Sequence, residues 1–258
     1  MDISFWTALN PSIQLLHTNR LLHGKYLYRL AVRAPGCSLL RSNGDIDELA
    51  EARNAQTKNY NYGGSWSAPS RSLVLAKDVA MLKRIRHCAN QLAEGARVNI
   101  ESFKMRLEEP SVQFYTSHEH ELKLIAQALS DPRDNTHFES IMMPRDDFSR
   151  SLLLDGYVLR KKPIEWTHRI MMRDGRYSMD TKTQLKNYLT NLGDNIKVPK
   201  NLWNHLEKGG WIWGGYVYVK DPSLATVLGM IDPNLVAKIE EFKTMPPDEI
   251  NTIIIQES

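Results

Sequence analysis

A short apolar run that ends on Asp or Ser and passes straight into a helix-period segment occurs three times in this chain. A chain built from such pieces has few ways to fold. The first is Ser72 to Asp78, followed by Val79, Leu82, Ile85 and Leu92. The second is Ser111 to Ser117, followed by Leu122, Ile125, Ala126 and Leu129. The third is Gly215 to Asp221, followed by Leu224, Val227, Leu228 and Ile231. Each reads as a strand and then a helix, with the Asp or Ser oxygen meeting the exposed amides of the first turn. A looser fourth copy runs from Trp166 to Arg173, with Asp180 capping a helix through Leu185, Tyr188, Leu189 and Leu192.

The stretches between these copies complete the pattern. Val98 to Leu107 alternates as a strand, and Glu108-Glu109-Pro110 turns it back as a hairpin. Phe138 to Met143 reads as a further strand. Residues 72–145 are therefore expected to run strand, helix, strand, strand, helix, strand, a ferredoxin-like split unit. Residues 157–258 read as a second, less regular copy. It starts with a strand from Tyr157 to Arg173 that Pro163 breaks into a hairpin, and helices follow over 181–192 and 199–207. A strand over 215–220, a helix over 222–230 and a strand over 235–243 complete it. Residues 146–156 close a segment rich in Pro, Asp and Ser and are expected as a linker. The fold class is thus α+β: two ferredoxin-like units, mainly antiparallel sheets with helices on one face.

Residues 1–71 read as an extension. Its start is irregular or briefly helical. Lys25 to Arg33 is a strand with Tyr26, Tyr28, Leu30 and Val32 on one face, stopped by Pro35-Gly36. Asp45 to Ala55 is a short helix capped by Asn43 or Asp45. Residues 56–70 read as a long loop carrying Tyr60, Tyr62 and Trp66 beside Lys58 and Arg71. The tail after Pro246-Pro247 ends in Ile253-Ile254-Ile255, which is expected to add a strand or dock on the core.

Charge narrows the choice of partner. The net charge is only +3, but residues 160–220 carry twelve Lys and Arg against five Asp and Glu. Residues 221–258 carry two against seven. A basic segment of this kind suits an anionic partner. Cys37 and Cys88 are the only cysteines, which argues against a disulfide scaffold or a cysteine-rich zinc site and for a reducing, cytoplasmic location. The N-terminus lacks the pattern of a signal peptide and no apolar run is long enough to cross a membrane, so no membrane partner is expected.

Catalytic signatures are weak. His118 and His120 alternate with glutamates at a helix start, where residues two apart face different ways. Asp146, Asp147 and Asp155 offer carboxylates for a metal-dependent nuclease, but in the expected linker. His87-Cys88 has no accompanying oxyanion-hole motif, and the glycine pairs lack phosphate-loop spacing. No cofactor is expected.

The binding constellation is stronger. Trp211 to Lys220 packs two tryptophans, two tyrosines, two glycines and a lysine into ten residues. Tyr216 and Tyr218 alternate with Val217 and Val219, giving one aromatic and one aliphatic face. In a split unit this strand neighbours the Trp166 strand, so an open face carries Tyr216 and Tyr218 with either Trp166 and His168 or Arg169 and Arg173. Rings beside cations suit unstacked bases. The layout resembles RNA-recognition sheets, whose consensus strand sequences this chain lacks. The expected function is a non-catalytic nucleic-acid-binding accessory protein. It would contact single-stranded or distorted DNA or RNA in a replication, transcription, mobile-element or viral complex. The expected contacts are Lys161, Lys162, Trp166, Arg169, Arg173, Arg176, Tyr216, Tyr218 and Lys220, with Tyr60, Tyr62 and Trp66 of the loop. The alternatives are an assembly protein that docks partners or a multi-subunit complex through its aromatic strand, and the nuclease.

Overall fold

The computed structural model describes residues 2–62, 73–93, 103–162, 165–208 and 211–245, and leaves out the side chains of 58–62 and 93. The chain divides into two compact units, Met1–Asp146 and Asp147–Ser258. Each is mixed α+β and rests on an open, mainly antiparallel sheet.

The first unit runs α1 (Ile3–Leu9), β1 (Gln14–His17), β2 (Tyr28–Arg33), α2 (Ile46–Tyr62), α3 (Ala76–Ala93), β3 (Phe103–Glu108), β4 (Ser111–Thr116), α4 (Glu119–Leu129) and β5 (Phe138–Met143). Its sheet order is β1-β5-β2-β4-β3, antiparallel except at the β1–β5 edge. Alternation along β2 and β4 sends Tyr28, Leu30, Val32, Val112 and Phe114 into the core. There α4 packs on β2 and β4 with Leu122, Ile125, Ala126 and Leu129 buried. Next to it, α3 adds Leu82 and Ile85.

The second unit runs α5 (Asp147–Leu154), β6 (Val158–Arg160), β7 (His168–Met172), β8 (Gly175–Arg176), α6 (Met179–Asn191), β9 (Ile196–Lys197), α7 (Lys200–Glu207), β10 (Trp211–Ile212), β11 (Tyr216–Val219), α8 (Leu224–Ile231) and β12 (Val236–Thr244). The sheet order is β6-β12-β7-β11-β9, antiparallel except at the β6–β12 edge. A separate antiparallel ribbon pairs β8 with β10. Ile170, Met172, Val217 and Val219 face a core filled by Leu185, Leu189, Leu202, Leu206 and Leu228 of the helices.

The two sheets correspond strand for strand. Counted along the chain, β2, β3, β4 and β5 lie side by side in the order 4-1-3-2, and β7, β9, β11 and β12 do the same. In each unit a helix followed by a short strand precedes this set, and that strand lies parallel to the last one at the edge. The second unit inserts α7 and β10 between its second and third strands.

Several expectations are corrected. Residues 73–75 are not a strand: the backbone of Val74 is bound on both sides by the Asn54 side chain, at 2.9 Å each, instead of by a strand neighbour. The first strand of the sheet is β2, which periodicity alone assigned to the extension. Residues 56–62 are not loop, because α2 continues to Tyr62. Its polar residues lengthen the helix where only glycine or proline would stop it. Trp66 and the rest of the loop lie outside the described residues, as does the tail after Met245. Within 146–156 the chain forms α5, with Ser149 and Leu153 buried, where a linker was expected. β6 and β7 do not form a hairpin but flank β12 on opposite sides. The cap of α6 is Ser178, whose Oγ accepts from Thr181 N at 3.0 Å, so Asp180 falls in the first turn. Asp45 does cap α2, accepting from Asp47 N at 2.8 Å and Glu48 N at 3.3 Å. Among the described residues no helix is long and apolar enough to cross a membrane.

Candidate nucleic-acid interface

Strand alternation decides what the second sheet shows on its helix-free face. With Ile170, Met172, Val217 and Val219 turned to the core, Arg169, Met171, Tyr216 and Tyr218 point the other way. Tyr218, Arg169 and Glu240 stand in one row across β11, β7 and β12. The guanidinium of Arg169 donates to Glu240 Oε2 through Nε at 2.9 Å and again through Nη2. It also lies 5.3 Å from the Tyr216 ring centre and 5.9 Å from that of Phe242. Tyr216 and Tyr218 meet edge to face at 5.3 Å, and Arg160 stands 4.4 Å over Phe242. The face is therefore a frame of three rings around an ion pair. Burial raises the Glu240 carboxyl's affinity for its proton. The hydrogen bond and charge of Arg169, with Lys238 at 3.3 Å, outweigh burial and hold its pKa below the ordinary carboxylate range. Burial and the neighbouring Tyr218 push the Tyr216 phenol upward, so it stays protonated. Arg169 is thus a positioned, neutralised cation, while Arg160 and Lys238 leave a positive balance.

The ribbon presents a second aromatic feature. Trp211 lies opposite Arg176 and Ile212 opposite Gly175. Ile212 is fully buried, so its neighbours on either side turn outward. Trp211 and Trp213 are 50% and 57% exposed, with rings stacked at 5.0 Å and 14°. Two exposed indoles in parallel offer flat outer faces to a planar ligand. Their base is held firmly. Gly214 has φ +56° and donates its N–H to Asp174 Oδ1 at 2.6 Å. A Cβ at Gly215 would sit 2.7 Å from Ile212 Cγ2. Lys182, fully buried, donates to the carbonyls of His205 and Lys208 at 2.9 Å each and fixes the end of α7 just before β10. Burial pushes its pKa down, and the carbonyl end of the helix offsets the cost of its charge.

The other expected contacts are placed as follows. Trp166 precedes β7 and is half-buried, with Lys220 Nζ 5.4 Å from its ring. Lys220 itself pairs with Glu165 at 2.9 Å. Lys161, Lys162, Arg173 and Arg176 are exposed. Tyr60 and Tyr62 end α2 in the first unit, and their side chains, like Trp66, lie outside the description. Trp211 and Trp213 were missed as contact residues. The signal was present, since period-two alternation around a core Ile212 puts both on the solvent side.

The catalytic candidates are also located. His118 heads α4, its backbone N–H donating to Glu121 Oε2 at 3.3 Å, with its ring 5.6 Å from that of His120. Asp146 pairs with Arg145 at 2.9 Å. Among the described residues no group of three His, Cys, Asp or Glu is arranged to hold a metal ion. Burial pushes the Cys88 thiol up to about 11, and burial with the Glu109 carboxylate pushes Cys37 up to about 12, so neither is a thiolate near neutrality. No protein-family model matches the chain, and no curated protein matches it in sequence.

Proposed function

We propose that this chain binds single-stranded or distorted DNA or RNA without turning it over, as an accessory factor in a replication, transcription, mobile-element or viral complex. One observation carries the reading: two exposed, stacked tryptophans stand beside Arg176 in the chain's most basic segment. Bases stack on Trp211 and Trp213, each stack being worth about 1–3 kcal/mol. Arg173, Arg176, Lys161 and Lys162 neutralise phosphates, while Tyr216, Tyr218 and Trp166 extend the aromatic surface and Arg169 and Lys220 orient it. The finer fold reading stands on the same footing: both units are ferredoxin-like, supported by the shared 4-1-3-2 strand order. An intracellular, reducing location is supported by two free, buried cysteines.

The assembly-protein reading has its own support. α8 is apolar but for Thr226, yet its Met230 is 80% exposed and its Val227, like Ile239 on β12, is partly so. Titration of a fluorescent single-stranded oligonucleotide at two salt concentrations separates the two. The nucleic-acid reading expects binding that weakens with salt and falls at least tenfold in Trp211→Ala with Trp213→Ala. Absence of binding at low salt would sink it, and salt-insensitive self-association would favour assembly.

A further inference from the structure

The correspondence of the two sheets puts the same couple at the centre of both helix-free faces. Arg29 on β2 lies directly opposite Tyr115 on β4, as Arg169 on β7 lies opposite Tyr218 on β11. The next residue in the row differs. Arg169 meets Glu240, but Arg29 meets Met142. The first sheet therefore holds a central arginine without the carboxylate that neutralises its counterpart.

The surroundings of Arg29 add to this. Among the described residues its Nε, which is buried, has no hydrogen-bond partner, and its Nη2 reaches Ser140 Oγ at 3.5 Å. On the far side of Tyr115 the row continues to Lys104, which is exposed and has no carboxylate partner among the described residues. Arg106 lies one row along, opposite Gln113. The acids nearby are already engaged. Glu108 takes Arg106 at 2.7 Å and Gln113 at 2.5 Å, and Glu139 takes Ser111 at 2.6 Å and Arg33 at 3.7 Å. The Tyr115 hydroxyl donates to Gln113, which fixes the ring between the two cations. A tight turn bridged by Leu22 and Tyr26, with His23 at φ 51° and Gly24 at φ 71°, sets the His23 ring edge-on to Tyr115 at 4.6 Å. Burial and then the charges of Lys104 and Arg106 lower the His23 pKa, against the opposing charge of Glu108.

We propose that this face, centred on Arg29, Tyr115 and Lys104, binds the phosphate backbone of single-stranded nucleic acid. The inference rests on the function proposed above and adds a second contact surface to it. A phosphate supplies the half-buried Arg29 side chain with the counter-charge that no carboxylate among the described residues provides, with Lys104 closing on the next phosphate along the row and the His23 ring at its margin.

The test is a salt series of single-stranded oligonucleotide binding by the full chain. Each phosphate neutralised on a single strand adds about 0.7 to the slope of log affinity against log salt. Arg29→Gln with Lys104→Gln is expected to make that slope shallower by about 1.4. Trp211→Ala with Trp213→Ala is expected to weaken binding and leave the slope unchanged. Lys104→Glu, at an exposed position, covers the case in which Arg29→Gln does not fold, and lowers the slope as well. If the wild type binds, the tryptophan variant weakens and the Arg29 and Lys104 variants keep the wild-type slope, this inference fails and the function reading stands. If the wild type does not bind at low salt, both fall. Inorganic phosphate added at constant ionic strength is expected to displace nothing. Displacement would make the face a small-anion site and overturn the assignment to a nucleic-acid backbone.

Discussion

The Glu240 carboxylate has 4% of its surface exposed, and it stays charged there because Arg169 and Lys238 share it. Its pKa in the fold lies below the ordinary carboxylate range. A carboxyl whose folded pKa is depressed contributes stability that is complete above the unfolded value and lost as pH falls through the folded one. Acid titration of the wild type should therefore show destabilisation below about pH 4.5 that is reduced in Glu240→Gln. Glu240→Ala is expected to cost about 3 kcal/mol, since Arg169 is left half-buried without its partner. Denaturant midpoints at neutral pH check this, and a midpoint equal to wild type would contradict it. Arg169 was legible in sequence as a cation on the right strand. Its neutralisation was not, because Glu240 is 71 residues away in the chain and only the pairing of β7 with β12 brings them together. Trp211 and Trp213 were legible in principle, through the alternation around Ile212.

At the scale of elements, the glycine pair 214–215 decides whether the ribbon holds its two indoles outward. Gly214 supplies a left-handed turn and Gly215 a close approach to Ile212, Leu202 and Met172. Gly215→Ala should destabilise the second unit by about 1–3 kcal/mol through overpacking. It should also blue-shift or broaden the tryptophan emission as the ribbon is displaced. Wild-type thermal stability together with wild-type emission would contradict that account. Periodicity found β2, β4, β5, β11, β12 and the core faces of α3 and α4, because burial on one face imprints a repeat on local sequence. It could not find pairing. β2 was read as an appendage because the strand it should precede lies beyond α2 and α3. Val74 alternates with Leu73 and Leu75 as a strand would, yet Asn54 binds its backbone. α2 runs past its expected end because its polar residues carry no stop signal before Gly63-Gly64. β10, two residues long, is below the length at which a period is visible.

At the scale of the molecule, two α+β units share one strand order, and residues 160–220 of the second carry a local positive excess that the acidic stretch after them offsets. Each unit places an arginine opposite a tyrosine at the centre of its helix-free face, and the second adds an exposed indole pair. The central claim is that this indole pair takes up nucleic-acid bases. Ultraviolet cross-linking of the full chain to a single-stranded oligonucleotide, followed by peptide mapping, tests it most directly. The account predicts adducts on Trp211 or Trp213, lost when both are changed to alanine. Adducts absent altogether, or confined to peptides away from Trp211 to Lys220, would contradict it.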